Sequence, residues 1–134
     1  MKQNRSIPGC TVIPELAYDD VNAAADWLSK AFGFRRRTTI GDHRIQLNVG
    51  DGGLVLKQGS RNEGSDSVMI RIANADTHHA RAAETGAKIL RAPIDQPFGE
   101  RQYTAVDPWG HQWTFSQTIA DIAPTDWGGQ IGTL

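Results

Sequence analysis

Few side chains in this 134-residue chain could do chemistry on a ligand, and their placement narrows the choice. Glu15 stands in CTVIPELAY, where Ile13, Glu15 and Ala17 alternate with Val12, Leu16 and Tyr18. A carboxylate on such a strand face can act as a general base, because burial raises its pKa toward useful values, or can anchor a cationic ligand. It can equally be neutralised by an arginine such as Arg71. His43 and His111 flank turn sequences, where an exposed side chain is expected. His78 and His79 are adjacent in a helical stretch, and neighbours on a helix project about 100° apart, so they do not face one ion and read as surface residues. Cys10, the single cysteine, has no intramolecular partner and no metal or redox motif around it. The run Arg35, Arg36, Arg37 is divided between two faces by strand alternation, which suits a solvated sheet edge better than a phosphate site.

The elements that must position these residues follow from periodicity. Residues 1 to 9 are polar, end in Pro8 and Gly9, and read as a loose leader before a strand beginning near Cys10 or Thr11, with Pro14 marking an edge. Val21, Ala24, Ala25, Leu28 and Phe32 fall at helical spacing behind Asp20 as N-cap and ahead of Gly33 as stop. FRRRTTI, HRIQLNV and GLVLKQ then read as three antiparallel strands joined by hairpins. The polar stretch GSRNEGSDS separates this half from a second with the same order: strand SVMIRIA, a helix capped by Asp76 and stopped by Gly86, then AKILRAP, RQYTAV and HQWTFSQ. The predicted fold is α+β: two βαβββ modules forming a curved, partly open mixed sheet around a cavity. Module one spans about residues 10 to 58, the linker 59 to 66, module two about 67 to 117 and a C-terminal tail 118 to 134. Trp127 in that tail is expected to dock, on its own chain or on a partner, because burying an indole is worth a few kcal/mol at roughly 25 cal/mol per Å².

Charge narrows the partners. Fourteen basic against fifteen acidic residues give a net charge of -1, which leaves no global field for nucleic acid or anionic lipid. No stretch approaches the roughly 20 apolar residues of a membrane span, and MKQNRSIPG lacks a signal-peptide core, so a cytoplasmic protein whose partner is a small molecule or another protein is expected.

Two segments carry a family resemblance, AYDDVNAAADWLSKAFGF at 17 to 34 and, more specifically, PFGERQYTAVDPWGHQWTF at 97 to 115. In the second, Pro108 and Gly110 supply turn geometry, Asp107 can accept backbone hydrogen bonds, and Trp113 and Phe115 share one strand face. The chain resembles the glyoxalase/bleomycin resistance/extradiol dioxygenase superfamily, the vicinal oxygen chelate proteins. The resemblance implies paired βαβββ modules and a homodimer, with functions from metal-dependent lyases and dioxygenases to proteins that only bind a drug.

Metal-dependent members, by this resemblance, carry a His on the first strand, Glu or His on the fourth, His on the fifth and Glu on the eighth. Here the first position falls on Ile13, the fifth-strand position on Ser67 and the last on Thr114, and the fourth strand offers only Leu54, Val55, Leu56, Lys57 and Gln58. Hydroxyls alone are poor anchors for a catalytic divalent ion, so no metal and no cofactor are expected. The predicted ligand-binding face comprises Glu15, Ser67, Met69, Arg71, Gln112 and Thr114, joined by Arg101 and Tyr103, which family members use near a cavity mouth. Arg101 can instead stack on Trp109 or Trp113. The expected function is binding or sequestration of a small, partly apolar organic compound. The alternative is a lyase, isomerase or dioxygenase with a rearranged metal site that uses Glu15 with His43 or His111, or with Glu15 as base.

Overall fold

In the computed structural model, which describes residues 2–60, 66–130 and 132, the chain divides into two compact units, Met1–Gly64 and Ser65–Leu134. Each repeats strand, helix, three strands. The first holds β1 (Glu15–Tyr18), α1 (Val21–Phe32), β2 (Arg35–Ile40), β3 (Arg44–Val49) and β4 (Gly52–Gln58). The second holds β5 (Ser67–Arg71), α2 (Ala75–Glu84), β6 (Lys88–Asp95), β7 (Glu100–Val106) and β8 (Gln112–Thr118), followed by a 3-10 turn at Pro124–Trp127. The sheets are ordered β1-β4-β3-β2 and β5-β8-β7-β6, with β1–β4 and β5–β8 parallel and the remaining pairs antiparallel. This is the α+β architecture of two mixed sheets that the periodicity predicts. Part of the linker, residues 61 to 65, lies outside the described residues.

In the first unit the sheet packs its Tyr18, Ile45, Leu47, Leu54 and Leu56 side under α1, whose stripe of Val21, Ala24, Ala25, Leu28, Ala31 and Phe32 is fully buried. Each large apolar side chain so buried contributes about 1.5–3 kcal/mol. The Asp20 carboxylate accepts from Ala23 N–H at 3.0 Å to begin the helix. Gly33 ends it at φ 80°, a left-handed conformation that costs glycine nothing. In the second unit Tyr103, Ala105, Trp113 and Phe115 form the core face under α2, which buries only Ala75 and Ala82. Among the described residues no helix is long and apolar enough to cross a membrane.

Several local expectations are corrected. The first strand begins at Glu15, since residues 10 to 14 form no ladder beyond the carbonyl of Pro14, which accepts from Val55 N–H at 2.9 Å. Asn74, not Asp76, caps α2, accepting from Thr77 N–H at 3.0 Å; Asp76 falls inside the first turn. The leader is docked rather than loose: Pro8 is buried and the carbonyls of Arg5 and Ser6 are hydrogen-bonded. The arginine run does split between faces, yet two of its members have partners. Arg36 reaches Asp26 and Asn22 of α1 at 2.9 and 3.1 Å, while a bulge between Arg36 and Thr38 turns Arg37 to Gln46 on the opposite face.

Candidate functional site

Strand alternation gives each sheet a second face, turned away from its helix. In the second unit the register pairs Ser67 with Gln112, Met69 with Thr114 and Arg71 with Ser116, so Ser67, Met69, Arg71, Gln112 and Thr114 share that face. Across β7 it continues through Gln102, opposite Ser116, and Thr104, opposite Thr114; on β6 it continues through Arg91 and Ile94. A cavity of about 210 Å³ opens here, lined by Met69, Arg91, Ile94, Gln96, Gln102, Thr104 and Thr114. Tyr103 also borders it. The apolar contribution is accessible, since Met69 is 61% and Ile94 57% exposed.

The polar groups around the cavity are ordered. The hydroxyls of Thr104 and Thr114 lie 3.1 Å apart and hydrogen-bond to each other. Gln102 donates to Ser116 Oγ at 3.0 Å, and Ser116 in turn donates to Glu100 at 2.7 Å. Hydrogen bonds from Thr118 and Ser116, with the charge of Arg71, hold the Glu100 carboxyl below the usual range. Arg91 is exposed and forms no ion pair among the described residues. Among the described residues its guanidinium is an uncommitted cation at the cavity's edge.

Arg101 lies off this face, and Tyr103 meets the cavity only at its border. Alternation along β7 puts them on the helix side, opposite in sense to Gln102 and Thr104. Tyr103 is buried, stacks on Phe115 with ring centroids 5.1 Å apart, and hydrogen-bonds His78 Nδ1; burial pushes its phenol pKa up. Arg101 bridges Asp76 at 3.0 Å and Asp95 at 2.9 Å, so its charge has two carboxylate partners. His78 and His79, read as surface residues, are half-buried and pack against Tyr103 at centroid distances of 5.7 and 5.3 Å.

Glu15 belongs to the first unit's outer face. It meets Arg44 at 2.7 Å and Lys57 at 3.5 Å, while Arg71 of the second unit neighbours Glu100. The hydrogen bond from Arg44 and the charge of Lys57 lower its pKa, opposite to the shift a general base near neutrality requires. Desolvation acts in the raising direction but is outweighed, since the residue is exposed.

The turn beside the cavity face is built by one carboxylate. Asp107 Oδ1 accepts from the N–H groups of Trp109 and His111 at 3.0 Å each, and Oδ2 accepts from the Trp113 indole at 3.1 Å. His111 therefore serves the turn through its backbone, and His43 stands exposed in the hairpin before β3.

Residues 11–115 match the model of the Glyoxalase/Bleomycin resistance protein/Dioxygenase superfamily. The chain belongs to this superfamily. Among solved structures, TioX from Micromonospora sp. ML1 is similar at 32% identity and a TM-score of 0.68, covering 83% of this chain and 100% of that one. The fosfomycin resistance protein FosX from Mesorhizobium loti matches at 17% identity and a TM-score of 0.63 over 83% of this chain and 92% of its own, a likeness of fold. The uncharacterised protein Rv0887c of Mycobacterium tuberculosis (strain H37Rv) is 24% identical over 127 residues, covering 81% of this chain and 75% of that protein.

The metal that superfamily enzymes use does not fit the residues present. Ile13 precedes β1 and offers no donor atom; Ser67 and Thr114 offer neutral hydroxyls, and that of Thr114 is engaged with Thr104. No residue of β4 carries an imidazole or carboxylate. Among the described residues no three His, Cys, Asp or Glu side chains gather where they could hold an ion. Among the described residues these positions supply no imidazole or carboxylate.

Sequence reasoning passed over Arg91, Ile94, Gln96, Gln102 and Thr104. The signal lay in β7 itself. Tyr103 and Ala105 continue the apolar alternation of Trp113 and Phe115, which leaves Gln102 and Thr104 for the face of Thr114.

Proposed function

We propose that this superfamily member binds or sequesters a small, partly apolar organic molecule on the outer face of the second module, without a divalent metal. The observation that carries the reading is the Thr114 hydroxyl, paired with Thr104 in a cavity lined otherwise by amides, Met69, Ile94, Tyr103 and Arg91, at the position where the resemblance puts a carboxylate. Such a lining holds a ligand by apolar contact and neutral hydrogen bonds, with Arg91 available for an acidic group. No imidazole or carboxylate side chain is part of that lining. The enzymatic reading through Glu15 meets the opposing pKa shift at that residue.

The same reading has the protein acting as a cytoplasmic homodimer, and light scattering of the purified chain tests the oligomer. The deciding experiment has two arms. Purified protein is incubated with nickel, cobalt, zinc, manganese or iron(II), desalted and analysed by mass spectrometry, with less than a tenth of an ion per chain expected. A thermal-shift screen of aromatic and acidic organic compounds is expected to give hits that Arg91→Ala or Met69→Ala weakens. One tightly held ion per chain, or hits indifferent to both substitutions, overturns the proposal.

A further inference from the structure

We propose that the first module carries a second ligand site, filled in this chain by its own leader, and that the ligands it takes present adjacent amide or carboxylate oxygens, as an extended peptide does. This goes beyond the reading above, because it concerns the other module.

The two sheets share one order, so their strand registers can be superposed row by row. The row Met69, Thr114, Thr104, Arg91 of the second sheet corresponds to Glu15, Val55, Gln46, Thr38 of the first. In the second module that row lines the open cavity. In the first it lies under residues 5 to 8. Gln46 Nε2 donates to the Ser6 carbonyl at 2.8 Å and Arg37 Nη2 donates to the Arg5 carbonyl at 2.9 Å. Pro8 presses on Gly53 so closely that a Cβ there would stand 2.7 Å from the proline Cβ.

The site's polar groups are built for acceptors. Gln46 is only 3% exposed, and its Oε1 is occupied by Arg37 Nη1, which fixes the amide so that Nε2 alone meets the leader. The bulge in β2 brings Arg37 beside it. Two donors on two consecutive main-chain carbonyls recognise backbone rather than side chain, so any chain of amides can satisfy them. A carboxylate satisfies Arg37 better than a carbonyl does, because the hydrogen bond becomes charge-assisted.

The leader is held lightly enough to exchange. Arg5, Ser6 and Ile7 are exposed and Pro8 alone is buried. Its anchors are the two carbonyl contacts and that proline. A competing ligand needs only to match them.

The test uses the leader itself as the probe. A chain lacking residues 2 to 8 is titrated by calorimetry with the synthetic peptide KQNRSIPG, the sequence of residues 2 to 9. One peptide per chain is expected, with binding at least tenfold weaker to the full chain, whose site is filled. Arg37→Ala or Gln46→Leu in the shortened chain is expected to weaken binding tenfold or more, and Thr114→Val to leave it unchanged. A folded shortened chain that ignores the peptide, a full chain that binds it equally, or a loss caused by Thr114→Val overturns the proposal. Should the shortened chain fail to fold, tryptic cleavage after Arg5 in the full chain decides. Arg37→Ala is expected to speed it at least fivefold without a matching fall in melting temperature, and an unchanged rate overturns the exchangeable leader.

Discussion

The Trp113 indole donates to Asp107 at 3.1 Å, across the turn that this same carboxylate builds by accepting from Trp109 and His111. A fully buried core aromatic and the hairpin between β7 and β8 are thereby fixed by one side chain that is itself 3% exposed. Asp107→Ala strands a buried indole N–H and two backbone N–H groups, and each such loss costs about 1–3 kcal/mol. The expected destabilisation is roughly 3 kcal/mol, read as a lower urea midpoint with an unchanged slope. A change under about 0.5 kcal/mol would show that water replaces the carboxylate without penalty.

Two faces of one sheet should respond to substitution in opposite ways. Met69 is 61% exposed on the cavity side, so Met69→Ala should alter stability by no more than about 0.5 kcal/mol while weakening a bound compound about tenfold. Phe115, fully buried on the other side, should cost about 3–5 kcal/mol on truncation to alanine. Thermal melts with and without a screening hit separate the two. A Met69→Ala variant that unfolds as readily as Phe115→Ala would mean that the outer face is packing surface.

How much of this was legible depends on the range of the interaction. The helices, hairpins and two-module order follow from local period and turn residues, and alternation alone places Met69 and Thr114 on one face. The partners of Glu15 were not legible, because Lys57 and Arg44 are set by β1 lying beside β4 and β4 beside β3, pairings between residues far apart in sequence. Arg101 and Tyr103 were chosen by position in a motif, and the parity of β7 against Trp113 and Phe115 adds that both project to the helix side, with Tyr103 still bordering the cavity. The docked leader left no trace in composition. Its contacts use main-chain carbonyls, which every residue has.

Stability should depend on pH through Glu100. Its folded pKa is lowered, by Thr118 and Ser116 hydrogen bonds and then by Arg71, so its contribution is complete above the unfolded carboxyl's range and is lost as pH falls through the folded value. Glu100→Gln should therefore lower the urea midpoint at pH 7 by the equivalent of roughly 1 kcal/mol. The difference from wild type should shrink below about pH 4, where both chains carry a neutral group. A constant difference from pH 7 to pH 3 would assign the loss to packing.

The C-terminal segment is seated by Gly99. This residue has φ +84°, its carbonyl accepts from Ile119 and Ala120 N–H at 2.8 and 3.2 Å, and a Cβ on it would stand 2.3 Å from the Ala120 oxygen. The same seat lets Trp127, still 44% exposed, lie against Phe98 with centroids 5.1 Å apart, the docking on its own module that an isolated tryptophan calls for. Gly99→Ala should cost about 2–4 kcal/mol in the full chain, from the clash and the left-handed backbone together. In a chain ending at Thr118 the clash is gone and only the backbone term of about 1 kcal/mol remains. The two changes are thus expected to be non-additive, and urea melts of the four chains measure the coupling. Additive costs would mean that the segment does not rest on Gly99 in solution, and that Trp127 finds its cover elsewhere.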